Sequence, residues 1–434
     1  MTKAKKAVEW TKTALIALLS VSALFLAWRT GIFNDFFTSL PFVGSVAELI
    51  GGAGGAAESA GATIKEAARP LSIVITDDEG QRYGARFDTD ERYAVYERTS
   101  SILGEALGSA TGPVRINEDE WRTALSGPGL FYEYAAPVRL SVLEAWFSGA
   151  RRQDTAHNAI LLRRVFVAFG EGKSRLYYQE HGSGLFFEAD TASAAGKAQE
   201  LQSFSANGAV FAFETGAAIA ENAPYMLIMP GRDHPDVKAT AAGSAGELLD
   251  IALSSLGRSD EASTRYRTAD DVLVCFGTQF NIRVFSDGRI LYRRTNEPAA
   301  DGAAQALSES EMIEIARGIA ADSAGAACGA AEVMFESIEA GETDGYFTVT
   351  FGYYIAGGRI YLKEDRPAAR VTFESWEVTG TEVIFRHFSF TGGLTGLLRQ
   401  DQALAAAGGE FMLCYADTGA EILHPFWVRS ESRT

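Results

Sequence analysis

The chain has 434 residues, of which 47% are hydrophobic, 11% aromatic and 22% charged, with a net charge of −17. That balance describes several packed domains and excludes both a disordered acidic tail and a protein of many membrane spans. The sign of the charge excludes unassisted binding to nucleic acid, because phosphate contacts need clustered Lys and Arg.

Lys3, Lys5, Lys6 and Lys12 precede an apolar run from Ala14 to Trp28 that only Ser20 and Ser22 interrupt. Extended through Gly31-Ile32-Phe33, the stretch reaches the ~20 residues a spanning helix needs, and Trp10 and Trp28 fall at the two interfaces. The sequence therefore predicts a cytoplasmic N-terminus over 1–12 and a transmembrane helix over 13–33. A signal peptide shares the outline of a basic start and a short apolar core, yet no clean A-x-A cleavage site follows the run. Four lysines before the run against Arg29 after it orient the N-terminus inward, which makes the chain a single-pass membrane protein with an extracytoplasmic body. The first thirty residues carry five basic side chains and one acid, so −21 belongs to the remainder. On a helical projection Thr13, Ala17, Ser20 and Ala27 share one side with Ala23 on its shoulder. Such a small-residue stripe lets another helix approach closely; lipid-facing filler is the competing reading.

Residues 34–69, with Gly51-Gly52-Ala53-Gly54-Gly55, read as a Gly/Ala-rich tether. No strand precedes these glycines and no Gly-Lys-Ser/Thr follows, so they are not a phosphate loop. A first α+β domain is expected over 70–150. It holds strands at Leu71–Ile75 and Tyr83–Phe87, a helix from Asp90 to Gly108, and a helix started by Asn117 with Glu120 in a loose capping box. Gly129–Tyr134 is extended, and a helix runs from Ser141 to Phe147. A second α+β domain, 151–244, offers strands at Val165–Phe169, Arg175–Gln179 and Leu185–Glu188, whose aromatics and turn glycines argue for an antiparallel sheet. A helix from Thr191 to Phe204 and a strand at Ala209–Phe213 follow, before the apolar stretch Tyr225–Pro230.

The C-terminal α+β domain, 245–434, opens with a helix from Ala245 to Leu256. A hairpin follows, Asn281–Phe285 and Arg289–Tyr292, turning on Asp287-Gly288. Ser308 with Glu311 forms a reciprocal capping box for the next helix. Strands are expected at Tyr346–Tyr354, Arg359–Leu362, Ala369–Val378, Glu382–Phe390, Phe411–Tyr415 and Ile422–Arg429. The fold class is therefore α+β: one N-terminal transmembrane helix, then a multi-domain exported body of mainly antiparallel sheets with helices packed on one face.

No chemistry stands out. His157, His181, His234, His387 and His424 are scattered, with no pair at a metal-binding helical spacing. Gly182-Ser183-Gly184 lacks the full nucleophile-elbow pattern. Asp77-Asp78-Glu79 and Glu118-Asp119-Glu120 lack the alternation of a calcium loop and read as a turn and a first helical turn. Cys275, Cys328 and Cys414, odd in number and without C-x-x-C spacing, exclude a disulfide framework and read as buried, inert thiols. The expectation is a protein without catalytic residues, cofactor or metal.

The arrangement resembles the YycH family, regulators of the YycG (WalK) sensor histidine kinase. The residues that carry the likeness are Arg69-Pro70-Leu71-Ser72-Ile73, the stretch from Gly129 to Trp146-Phe147, Asn281–Tyr292 and Tyr346–Tyr361. Leu413-Cys414-Tyr415 through His424-Pro425-Phe426-Trp427-Val428 also resembles the closing strands of YycI, the related regulator. The tether departs from the family pattern. The resemblance implies a two-component regulatory protein whose membrane helix packs on kinase helices, through Thr13, Ala17, Ser20, Ala23 and Ala27, and whose body adjusts that contact beside a YycI-like protein. The alternative is an exported binding module for an envelope peptide or cell-wall ligand, built on aromatics such as Tyr353, Tyr354, Tyr361 and Trp376. An envelope enzyme would need convergent titratable groups.

Overall fold

Pro70 precedes a run of buried residues that starts the first strand. The computed structural model describes residues 68–148, 160–170, 173–192, 201, 203–216, 221–258, 263–295, 306–343 and 345–430. The predicted span 13–33, its stripe residues, the tether as far as residue 67, His157 and most of the predicted helix Thr191–Phe204 lie outside them. No helix among the described residues is long and apolar enough to cross a membrane.

The N-terminal part comprises β1 (Ser72–Thr76), β2 (Arg82–Ala85), α1 (Thr89–Ser109), β3 (Thr111–Ile116), α2 (Glu118–Ser126), β4 (Gly129–Arg139), α3 (Leu140–Ser148), β5 (Leu161–Phe169), β6 (Ser174–Glu180) and β7 (Phe186–Thr191). Its strands form a seven-stranded antiparallel sheet, β2-β1-β4-β5-β6-β7-β3, which draws strands from both sides of residue 150. Asp88 caps α1 by accepting from the Glu91 amide, and Asn117 and Glu120 close the expected capping box on α2. Strand β3 escapes the sequence reading because it is an edge strand with exposed residues and Pro113, and so lacks alternation.

The central strands of this sheet are apolar on both faces, and both are covered. Tyr132, Val165, Tyr178 and Phe187 line up across β4–β7 on the α1 side, where the Tyr132 hydroxyl donates to the Thr99 carbonyl. Phe131, Phe166 and Tyr177 occupy the other face, where Trp121 of α2 stacks on Phe186. Helices therefore flank this sheet on two sides, which corrects the expectation of one face. Strands buried on both faces need cover on both.

After β8 (Val210–Phe211), β9 (Leu227–Ile228) and β10 (His234–Ala241) the C-terminal part follows. It holds α4 (Ala245–Ser255), β11 (Thr264–Arg267), β12 (Leu273–Phe276), β13 (Phe280–Val284), β14 (Arg289–Arg294), α5 (Glu309–Ala320), β15 (Glu332–Ala340), β16 (Phe347–Ile355) and β17 (Gly358–Leu362). It ends with β18 (Ala369–Glu374), β19 (Glu377–Ile384), β20 (Arg386–Thr395), α6 (Gln400–Ala407), β21 (Phe411–Asp417), β22 (Ile422–Leu423) and β23 (Phe426–Arg429). Eleven strands make one sheet in the order β11-β12-β13-β14-β19-β18-β16-β17-β21-β23, with β15 alongside β16. Only β17–β21 is a parallel pair among its described ladders. Strands β20, β10 and β22 form a separate small sheet. Helix α4 lies across β12 and β13, α5 across β15, β16 and β18, and the two helices touch. Both carry the serine capping box, at Ser244 and at Ser308.

Two strand predictions need correction. The sequence reading runs one strand through Val378 and starts the next at Glu382, whereas the chain turns at Ser375-Trp376, joining β18 to β19. Both residues have positive φ, 50° and 67°, in the manner of a two-residue hairpin turn without the usual Gly or Asn. The second strand of that pair ends at Ile384, and β20 is a new strand.

Candidate functional site

The site residues predicted from sequence, those of the small-residue stripe, lie outside the described residues. What the structure does show is the seam along which the N-terminal and C-terminal parts meet, and that seam is charged.

Glu133 stands in β4 between Tyr132 and Tyr134 and is 1% exposed. Its side chain lies on the face that carries Phe131, directly opposite Arg164 on β5. Arg164 donates to Glu133 Oε1 through Nε (3.1 Å) and Nη2 (2.9 Å), and its Nη2 also reaches Glu410 Oε1 at 2.6 Å. A bulge in β5 at Arg163 turns that guanidinium to Glu410 as well, at 3.2 Å. Arg86, after β2, lies 3.5 Å from Glu133 Oε2, which also accepts from the Ser72 hydroxyl at 3.2 Å. Glu410 precedes β21, so a cluster of three arginines and two glutamates ties the first sheet to the end of the chain. Burial alone would raise the Glu133 carboxyl, but Arg164, Arg163 and Arg86 outweigh it and hold it well below the usual carboxylate range. The same arginines depress Glu410 against burial and against Glu133.

Two further links lie along the seam. Arg92 of α1, fully buried, pairs with Glu332 at the start of β15, whose second oxygen accepts from the Tyr93 hydroxyl at 2.6 Å. Arg139, at the end of β4, meets Glu309 in the first turn of α5 at 2.5 Å. The β16–β17 turn also comes close to the first sheet: a Cβ on Gly357, whose φ is +69°, would stand 2.6 Å from the Arg86 carbonyl oxygen. Glycine is required there both for the turn and for the contact.

Other sequence candidates take structural places. Tyr353 and Tyr354 are buried, their hydroxyls donating to the Ile384 carbonyl (2.8 Å) and to Glu336 (3.3 Å). Tyr361 lies under the Arg359 guanidinium at 4.5 Å, and Trp376 packs on Phe347. Two of these four aromatics, Tyr353 and Tyr354, are thus core residues, and Tyr361 and Trp376 are half-buried. The three thiols are buried; burial pushes Cys328 up to about 11 and Cys414 up to about 12, and the Cys328 thiol donates to the Gly325 and Ala331 carbonyls. His234 packs edge-on to Phe87 and Trp427, and burial, with Arg232 nearby, lowers it to about 4. His424 approaches Asp236 at 2.9 Å, His387 approaches the Ala327 carbonyl, and burial lowers His181. Among the described residues no three His, Cys, Asp or Glu side chains are grouped to hold a metal ion.

The sequence reading overlooked Glu133, Arg163, Arg164 and Glu410. A signal was present in part: one acid inside an aromatic strand and two adjacent arginines inside an apolar one must each find partners if those strands are buried.

Comparison with known proteins bears on the fold. No protein-family model and no curated protein matches the sequence. Among solved structures, YycH from Bacillus subtilis is similar in fold, with a TM-score of 0.51 at 12% identity, over 84% of this chain and 94% of that one. A share of 84% cannot be reached without residues 245–434, so the YycH-like fold extends into the C-terminal part. The fold is thus YycH-like, as the sequence resemblance implied; the likeness to YycI finds no counterpart in these comparisons.

Proposed function

We propose that the chain is a membrane-anchored extracytoplasmic regulator of a two-component sensor histidine kinase. The observation that carries this reading is the agreement in fold with YycH over nearly the whole length of that protein. The N-terminal sequence supports it: a basic start, an apolar stretch over 13–33 and a strongly acidic remainder suit an anchor with an exported body. In this reading the span packs against kinase helices through Thr13, Ala17, Ser20, Ala23 and Ala27, and a YycI-like protein is the second partner. A helix contact biases a kinase between two states only by binding them unequally, and small residues allow the close approach in which such differences arise. The body acts by setting how the span meets its partner, with no reaction of its own. Bulky substitution of Ala17, Ser20, Ala23 and Ala27 together is expected to change kinase autophosphorylation in co-reconstituted membranes while leaving the melting temperature of the body unchanged. Unaltered autophosphorylation would rule out the helix contact.

A further inference from the structure

The eleven-stranded sheet has two unlike faces at its β11 end. Pairing places Arg265, Cys275, Ile282 and Tyr292 in one row across β11–β14. Helix α4 lies on that face, where Arg265 pairs with Asp250 of α4 at 3.0 Å and Cys275, Ile282 and Tyr292 are buried. Side chains alternate along a strand, so the residues between them point the other way. On this second face Tyr266, Val274, Arg283 and Leu291 form one row, and Thr264, Phe276, Asn281 and Arg293 form the next. It is open to solvent: Tyr266 is 51% and Phe276 48% exposed, and Arg283 and Arg293 are exposed as well.

The arginines of the two faces differ in their partners. On the α4 face Arg265, Arg267 and Arg294 each pair with an acid, Asp250, Asp271 and Glu377 respectively. On the open face Arg283 and Arg293 have no ion pair or hydrogen bond among the described residues. Glu382, in the row of Arg283 and Leu291, is engaged by Arg370 at 3.0 Å. Arg283 and Arg293 are diagonal neighbours on adjacent strands, which sets them about 7–8 Å apart at their bases. Two like charges are thus held side by side, with no acid between them, on a chain whose net charge is −17. Phe276 is the diagonal neighbour of Arg283 on the opposite side.

This chemistry selects the occupant. Arginine and aromatic side chains are those that protein interfaces favour, and a guanidinium holds a carboxylate through two parallel hydrogen bonds. Carboxylates at alternate positions of an extended segment stand about 6.6 Å apart, which matches the step between the two arginines. A long polyanion fits less well, because Asp270, Asp271 and Asp287 occupy the turns at one end of these strands and the rest of the chain is acidic. We infer that the open face of β11–β14 docks a short acidic segment of a partner protein, two of its carboxylates on Arg283 and Arg293 and an apolar residue on Phe276 and Tyr266. All of these residues lie within 264–294, so the contact neither needs nor tests one made by residues 13–33.

The test uses the purified full-length chain in nanodiscs of zwitterionic lipid and ligand-observed NMR titration. The probes are the peptide acetyl-Phe-Ser-Glu-Ser-Glu-Ser-amide, the same peptide with Gln for both Glu, and hexathymidylate as a polyanion. The Glu peptide is expected to bind in the millimolar range or below, at least fivefold more tightly than the Gln peptide and more tightly than hexathymidylate. Arg283→Gln and Arg293→Gln are each expected to weaken it about threefold, the loss of one exposed ion pair, and the double variant about tenfold. Arg115→Gln, exposed on β3 of the other sheet, should leave binding unchanged. Both single variants should keep or raise the melting temperature, since each removes one of two neighbouring like charges. Equal binding of the Gln peptide, tighter binding of hexathymidylate, unchanged affinity in the double variant, or an equal loss in Arg115→Gln would overturn the proposal.

Discussion

One face of the seven-stranded sheet is built from two materials. Along β5–β7, Tyr177 and Phe186 meet Trp121, and Phe166 meets Tyr177, in apolar contact. Toward the β1 end the same face carries Glu133 and Arg164, with Arg86, Arg163 and Glu410 around them. Apolar packing is non-directional and tolerates replacement by shapes of similar volume. A buried carboxylate tolerates no loss of its guanidiniums, because its solvation has been replaced by those partners alone. The apolar region thus provides bulk stability, while the charged one fixes where the end of the chain sits on the first sheet.

The difference is broken most sharply at Glu133. Glu133→Gln leaves three arginines facing Glu410, and urea denaturation is expected to show a loss of about 3–5 kcal/mol. On the apolar stretch of the same face Phe131→Leu should cost only about 1 kcal/mol. A cost for Phe131→Leu equal to that for Glu133→Gln would contradict the contrast.

Acid should act on the same seam. Glu133 and Glu410 are depressed in the fold, so below about pH 4.5, the ordinary glutamate value, the unfolded chain binds more protons. Their contribution is present above that pH and is lost as pH falls toward the depressed values; Glu410→Gln should flatten the fall. His234 gives a separate window. Its folded value of about 4 lies below the ordinary 6.5, so its share of stability is complete above 6.5 and lost on the way down to 4. Stability measured against pH in His234→Phe should lose that slope and keep the one below pH 4.5.

Smaller effects follow from local features. Asn117→Ala removes the cap of α2, and calorimetry should register a loss of about 1 kcal/mol. Arg267→Ala breaks an exposed pair with Asp271 and should stay within about 0.5 kcal/mol of the parent.

Much of the fold could be read in the sequence wherever its cause is local. Asn117 and Ser308 announce helix starts through side chains that bond within three residues, and Asp287-Gly288 announces its hairpin. The missed strands lack such a local cause. Strand β10 begins His234-Pro235 and contains a bulge, β15 is bulged between Phe335 and Ser337, and β11 has no buried residue. Strands β11 and β15 pair with the next strand in sequence and show no clean period-2 pattern, the first for want of a buried face and the second through its bulge, whereas β10 is set by pairing with the distant β20 and β22. The seam was hidden for the same reason, since Glu133 and Glu410 come together only when the whole body is folded.

A partner in the membrane is tested most directly by crosslinking followed by purification of the full-length chain from membranes, beside a version lacking the residues before Asn34. A sensor histidine kinase recovered with the full chain and lost with the shortened one is the predicted result. No kinase with either, or equal recovery with both, would contradict it.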